Sequence, residues 1–347
     1  MHLKNNNKIT MSIKNGVWFQ SRTGGAYEAA DMVYSRIIDY LFKNVLSKKY
    51  LHNTLSDNKM NNILFFWGSG GSGIEIWKPK CDYLNSYYVK SRDVIDQVSK
   101  GVIIPENGIV NINNKTVTFE SKDTYDYDII LFCTGYKGLN CMPFLNENII
   151  TSQKYKHIFY VDDPTLMFIG FIRPFVTSIP MISELQSRWI SKIIANKTIL
   201  PSKEEMNNEN KIDDLNQSKE FPCSYDRLPT IVDPFDYCNM ISSKISTDIN
   251  IIQLLFTNPN LLYMILFDSW NHHVYRLNDE NKEKREIAIK NIKEVYNSKV
   301  SIKIRYSFFN TLFNILKSLI LYILIIIVII LLYKNNVSNK PRKYNKR

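Results

Sequence analysis

The stretch FIGFIRPFVTSIPMISELQSRW, Phe168–Trp189, decides the fold. Its first residues end an apolar run, TLMFIGF from Thr165 to Phe171, which reads as a strand buried on both faces, as in parallel sheets. The chain then crosses Ile172-Arg173-Pro174 and reaches Ser178-Ile179-Pro180. There a serine can cap free amides, and a proline is tolerated in a first helical turn. Ile182, Leu185, Trp189 and Ile193 follow at helical spacing, so one apolar face is expected to pack on the sheet. A strand that delivers the chain to a helix N-terminus creates a partly positive site, suited to a carbonyl or anion of a cofactor. The class this implies is α/β.

Working outward, Asp128–Cys133 (DIILFC) has the same doubly buried pattern and runs into Thr134-Gly135-Tyr136, where glycine permits a tight turn and close approach of a ligand. Before it, Val102 to Pro105, Ile109 to Ile112 and Thr116 to Glu120 alternate around Asn-rich turns and predict a small antiparallel meander. Further upstream the reading is a strand at Gly16 to Gln20, a helix from about Ala26 to Leu46 and a Gly/Ser loop at Gly68 to Gly73. Gly68, Gly70 and Gly73 match G-x-G-x-x-G formally, but Pro79 leaves no room for the helix a dinucleotide fingerprint needs, so a flexible loop is expected. Downstream, Lys203 to Lys219 reads as a surface insertion or linker and Asn250 to Leu277 as helices covering the core.

The chain has 347 residues, enough for a sizeable core, and a formal charge of +11. Six basic residues and no acid lie in the tail 334–347, and without them the balance falls to +5. That placement suits lipid headgroups, and no DNA-reading pattern is present, so nucleic acid is not the expected partner. Five scattered cysteines, with no C-x-x-C pair, suggest a reducing compartment and no structural metal. His272 and His273, being adjacent, are expected to point apart and to make a poor ligand pair.

No cleavable secretory signal is evident at the N-terminus. From Ile315 to Tyr333 the row ILKSLILYILIIIVIILLY carries one charge, Lys317 near one end. As a helix it would be about 28 Å long, close to the hydrocarbon thickness of about 30 Å. A single-pass C-terminal membrane anchor is therefore expected.

Three segments together resemble a known family: FCTGY (Phe132–Tyr136), Phe168–Trp189 with its G-F-I-R-P, S-I-P and E-x-Q-x-R-W elements, and HHVYRLND (His272–Asp279). They look like the C-terminal part of flavin-containing monooxygenases, FAD- and NADPH-dependent enzymes that oxygenate nitrogen and sulfur. WFQSRTGG from Trp18 to Gly25 resembles the family segment in which a serine and an arginine meet the 2′-phosphate of NADPH, which implies that role for Ser21 and Arg22. By the same resemblance Thr134 and Gly135 lie at the hinge between cofactors. Ser178 and its helix face the pyrimidine side of the flavin, with Gln186 nearby. Cys133 stands where alanine is usual and Thr177 where glycine is usual.

The implied architecture is a partial two-dinucleotide-binding-domain flavoprotein fold with a small antiparallel meander and one C-terminal transmembrane helix. Residues 1–100 would be a remnant of the NADPH-binding domain. Residues 101–285 would form the C-terminal part of the FAD-binding domain, with an insertion near 203–219. A linker (286–314), the membrane helix (315–333) and the basic tail (334–347) follow.

The family's two glycine fingerprints have no counterpart, because the resemblance begins in the middle of the family pattern. The implied substrate is a small lipophilic amine or sulfide of the N,N-dialkylaniline type. The implied location is the endoplasmic reticulum membrane with the soluble part in the cytosol. Three readings stay open: a monooxygenase represented here in part, a catalytically silent membrane-anchored relative acting as a binding or regulatory partner, and a chain completed by a separately encoded N-terminal half.

Overall fold

A computed structural model describes residues 9–17, 34–44, 74–77, 93–135, 152–174, 177–222 and 229–306, with single positions or short runs between and after them. Helix and sheet are mixed, as expected, but the described sheets are small. β1 (Ile9–Ser12) pairs in parallel with β2 (Ile103–Glu106), and α2 (Asp93–Ser99) precedes β2. Under this pair, Phe19 and Trp77 bury their rings 6.0 Å apart, and the Trp77 indole donates to the Glu106 carbonyl at 2.7 Å.

The meander is real but shifted. Its strands are β3 (Ile109–Asn113), β4 (Thr116–Phe119) and β5 (Thr124–Asp126), while the segment expected to open it is β2, drawn away by β1. Of the strand expected at Gly16 to Gln20, Gly16 and Val17 lie outside any strand and Phe19 makes an isolated parallel bridge to Val89, while Trp18 and Gln20 lie outside the described residues.

Neither apolar run forms the doubly buried strand expected of it. Asp128–Cys133 lies outside any strand, with Ile129 84% and Leu131 83% exposed. In Thr165–Phe171 only Met167 bridges, to Phe159, and Gly170 turns the chain at φ +78°. A run of this composition becomes a buried strand only where neighbouring strands supply backbone partners and cover for both faces. Among the described residues no strand flanks residues 128–133.

The main core is helical and gathers around a short hairpin, β6 (Lys154–Tyr155) and β7 (Phe159–Tyr160). Its turn places Lys156 and His157 both at positive φ, 51° and 60°, the backbone of a tight two-residue hairpin turn. α3 (Ile179–Ile194) buries Ile182, Leu185 and Trp189, as its periodicity predicts. It packs on α5 (Pro234–Lys244) and on the two-stranded β6–β7 sheet. Phe159 meets Trp189 edge-on with ring centroids 5.1 Å apart. A parallel pair, β8 (Arg173–Pro174) with β9 (Ile231–Val232), links the segment before α3 to the one before α5.

The stretch read as a surface insertion or linker is helix α4 (Lys203–Glu220), with only Met206 and Asn210 buried. A Ser202/Glu205 capping box starts it. The hairpin turn then holds it: Lys156 reaches Glu209 at 3.0 Å and Asp213 at 2.7 Å, and Met206 is buried beneath. Of the helix expected over Ala26 to Leu46, the described part is α1 (Arg36–Asn44), and Tyr34 and Ser35 stand outside it.

As expected, helices fill Asn250 to Leu277. These are α6 (Ile251–Thr257), α7 (Pro259–Phe267) and a 3-10 turn at His272–Arg276. Where described, the expected linker 286–314 is helical too, with α8 (Lys282–Tyr296) followed by α9 over 299–306. Arg305 of α9 stacks on the Tyr296 ring at 3.5 Å and pairs with Asp268 at 3.3 Å. Except for Lys317, the apolar run 315–333 lies outside the described residues, as does the Gly/Ser loop at 68–73. Among the described residues no helix is long and apolar enough to cross a membrane.

Candidate functional site

Loop residue Gly170 lies against the first turns of α3. A Cβ added to it would stand 3.2 Å from Ser183 Oγ and 3.5 Å from Ile179 Cγ2. Its N–H donates to Gln186 Oε1 at 2.8 Å, and Gln186 Nε2 donates to the Tyr237 hydroxyl at 2.9 Å. Tyr237 in turn donates to the Lys156 carbonyl at 2.6 Å. Burial keeps the Tyr237 hydroxyl protonated by pushing its pKa up, so it remains a donor. Gln186 is fully buried with both ends of its amide engaged, and it ties a loop, α5 and the hairpin to α3.

The rest of that motif is spent in the same way. Glu184 accepts from Arg276 Nε at 2.8 Å and stands 3.5 Å from His272 Nε2. Arg188 donates to the Tyr275 carbonyl at 3.0 Å and lies 3.7 Å from Asp279. Phe168–Trp189 and His272–Asp279, far apart in sequence, are therefore docked on each other. The rings of His272 and His273 do not point apart as expected, because the 3-10 turn brings their centroids within 4.0 Å.

Of the residues expected around the cofactors, Gln186 is buried, while Ser178, Thr134, Gly135 and Arg22 are exposed. Ser178 precedes α3 as its N-cap residue and is exposed, and its hydroxyl makes no capping bond, against expectation. Thr134 and Gly135 are exposed, with Gly135 at φ +84° and no atom within 4 Å of a Cβ placed there. Arg22 is an exposed bend residue, and Ser21 lies outside the described residues.

Sequence reasoning missed one partly buried charge cluster. Lys43 Nζ of α1 lies 3.1 Å from Asp39, 3.0 Å from Asp233 and 3.1 Å from Asp236. Burial lifts the Asp233 carboxyl to about 7 in spite of Lys43. Burial alone would lower the Lys43 pKa, but the three carboxylates raise it. The only local signals were the i,i+4 pair on α1 and the N-cap position of Asp233.

The frame formed by the two docked motif segments agrees with one family, and the comparison is direct: the profile of the flavin-binding monooxygenase-like family matches residues 2–334. The chain belongs to this family. It is similar to flavin-containing monooxygenase 5 of Rattus norvegicus, with 27% identity over 286 residues, covering 79% of this chain and 51% of the relative. It is also similar to flavin-containing monooxygenase 2 of Homo sapiens, 25% identical over 288 residues, with the same two shares of 79% and 51%. The chain thus spans about half the length of the curated relatives it matches. A solved structure, S-allyl-L-cysteine S-oxygenase from Allium sativum, is similar at 22% identity and a TM-score of 0.35, covering 56% of this chain and 44% of that one.

For a flavin, the residues of this family member fit in part. The uncapped N-terminus of α3 and the open backbone at Gly135 suit a carbonyl or anion that needs close backbone approach. Gln186 is buried, its Oε1 accepting from the Gly170 N–H and its Nε2 donating to the Tyr237 hydroxyl.

Proposed function

We propose that this chain forms the C-terminal part of a flavin-dependent monooxygenase that oxygenates small lipophilic amines or sulfides with FAD and NADPH. The family match over residues 2–334 carries the reading. FAD supplies the oxygen-activating chemistry when bound. The chain's own contribution is placement: Ser178 and the α3 N-terminus offer a polar edge, Thr134 and Gly135 a flexible backbone approach, and Arg22 a cation for the NADPH phosphate. The apolar run 315–333 would anchor the chain in the endoplasmic reticulum membrane with its folded part in the cytosol.

The test is purification of the full chain in mild detergent followed by absorbance. Flavin at one equivalent per chain supports the reading. Absence of flavin from the chain alone, with recovery on co-expression of a family N-terminal half, places the cofactor unit on a second polypeptide. Absence in both cases overturns the reading in favour of a catalytically silent, membrane-anchored relative.

A further inference from the structure

The two ends of α1 are held to the body by different chemistry. At its start the Arg36 guanidinium lies between the Phe235 and Tyr275 rings, 5.4 Å from each centroid, and donates to the Tyr275 hydroxyl at 2.9 Å. Just before the helix, the Tyr34 carbonyl accepts from the Trp270 N–H at 3.0 Å, and Ile38 is buried in the core. None of these contacts uses a group that titrates near neutral pH. The other end is ionic: Lys43 faces Asp39 of its own helix, and Asp233 and Asp236 at the start of α5.

The charges at this ionic end do not balance. Asp236 is 68% exposed and solvated, but the side chains of Asp233 and Asp39 are only 4% and 13% exposed, so two shielded carboxylates compete for one ammonium. Among the described residues no second cation pairs with either. The other groups facing them are neutral. The Tyr34 hydroxyl donates to Asp39 at 2.7 Å, the Phe235 and Asp236 amides donate to Asp233 at 2.9 and 3.0 Å, and burial keeps the nearby Cys238 thiol protonated. A proton held on Asp233 restores the balance. Burial first, and then the Asp39 and Asp236 carboxylates, lift its pKa to about 7 against the pull of Lys43, and burial raises that of Asp39 as well. Once α1 moves away, Asp233 meets water and returns toward 3.8.

We propose that the Lys43 end of α1 is a proton-operated latch, docked on α5 while the two shielded carboxylates hold one proton between them and released as that proton leaves. The sign follows from linkage. The docked form keeps a proton that the released form gives up, so docking is favoured at lower pH and weakens as pH rises through about 7. A group titrating there changes the docking equilibrium about tenfold between pH 6 and pH 8. The Arg36 end has no such dependence and stays seated. From the Lys43 end the chain leads on toward Trp77, α2 and β2, so a released latch lengthens the connection between that unit and the helical body.

The experiment is amide hydrogen exchange of the full chain in mild detergent at pH 6, 7 and 8, corrected for the intrinsic pH dependence of exchange and read at residues 40–44 and in α3. The amides of 40–44 are expected to open more readily than those of α3 at each pH, with an opening constant that rises about tenfold from pH 6 to pH 8. In Asp233→Asn, which can still cap α5 but has no proton to lose, the opening constant should stay flat while α3 remains protected. Asp39→Asn leaves the ammonium to Asp233 and Asp236, and should move the rise to lower pH. If α3 loses its protection in Asp233→Asn, the Asp39→Asn shift decides instead, and its absence overturns the proposal. A flat opening constant in the unaltered chain overturns it, as does a tenfold rise that survives Asp233→Asn. Equal exchange of 40–44 and α3 at every pH also overturns it, because α1 would then leave only with the whole fold.

Discussion

Replacing Gln186 by leucine separates a structural amide from one that waits for a flavin. The substitution keeps the side-chain volume and removes both polar ends. The Gly170 N–H, bonded at 2.8 Å, is left without its acceptor beside α3, which costs about 1–3 kcal/mol. The bond donated to Tyr237 adds about 0.5–1.5 kcal/mol, while Tyr237 keeps its own bond to the Lys156 carbonyl. The expected loss is therefore about 2–4 kcal/mol, or about 4–16 °C in melting temperature for a body of this size. Urea unfolding of the full chain in mild detergent, followed by far-UV circular dichroism, measures it. A double-mutant cycle with Tyr237→Phe should return a coupling of about 0.5–1.5 kcal/mol, since the two side chains are in direct contact. A loss below about 0.5 kcal/mol, or strict additivity in the cycle, would refute the assignment of Gln186 as a structural tie.

Thr177 sits at φ +74°, where a β-branched residue is strained by about 1–2 kcal/mol. Allowing for the chain entropy glycine loses on folding, Thr177→Gly should stabilise the protein by about 0.5–1 kcal/mol in the same assay. Asp233 gives a signed pH dependence. Its carboxyl is lifted from 3.8 to about 7, so the folded state holds a proton that the unfolded state releases. This contribution is complete below pH 3.8 and is lost as pH rises to 7, so Asp233→Asn, which still caps α5, should flatten a falling stability curve across that window. His157 works the other way: burial first, then neighbouring Lys156, pulls its pKa from 6.5 to about 4. Its contribution is present above 6.5 and is lost as pH falls to 4, and His157→Gln should remove that decline in pH-dependent unfolding curves.

How much of this was legible in the sequence depends on whether a segment carries its own instructions. α3 did: Ile182, Leu185 and Trp189 define a buried face whatever they pack against, and all three are buried. The runs Asp128–Cys133 and Thr165–Phe171 did not, because an apolar stretch states a need for cover without naming what supplies it. The first lies exposed, and the second breaks at Gly170 to pass over α3. α4 was hidden by its polar composition, which suggests a linker. Its helix rests on Lys156, Tyr155 and Gln153 of the hairpin segment, contacts 53 to 61 residues away in sequence that no local pattern carries. The Ser202-x-x-Glu205 capping box was the one local signal, and it was available.

The site was less legible for a more instructive reason. The element E-x-Q-x-R-W carries much of the likeness to the family, yet each of its side chains is occupied inside the fold. Glu184 meets Arg276, Gln186 meets Gly170 and Tyr237, Arg188 meets the Tyr275 carbonyl, and Trp189 meets Phe159. Buried polar side chains must find partners. A motif built of them can be kept specific by the seating of one helix, with no ligand involved. Family membership and cofactor contact therefore rest on different residues here. The first is recorded in the interior face of α3 and its partner turn His272–Arg276. Under the proposed function, the second would fall to the exposed backbone at Thr134 and Gly135 and to the uncapped end at Ser178. Substitutions on the interior face should be read out as stability, and substitutions at the exposed positions as flavin content. A change at Gln186 that altered flavin content at unchanged stability would dissolve that division.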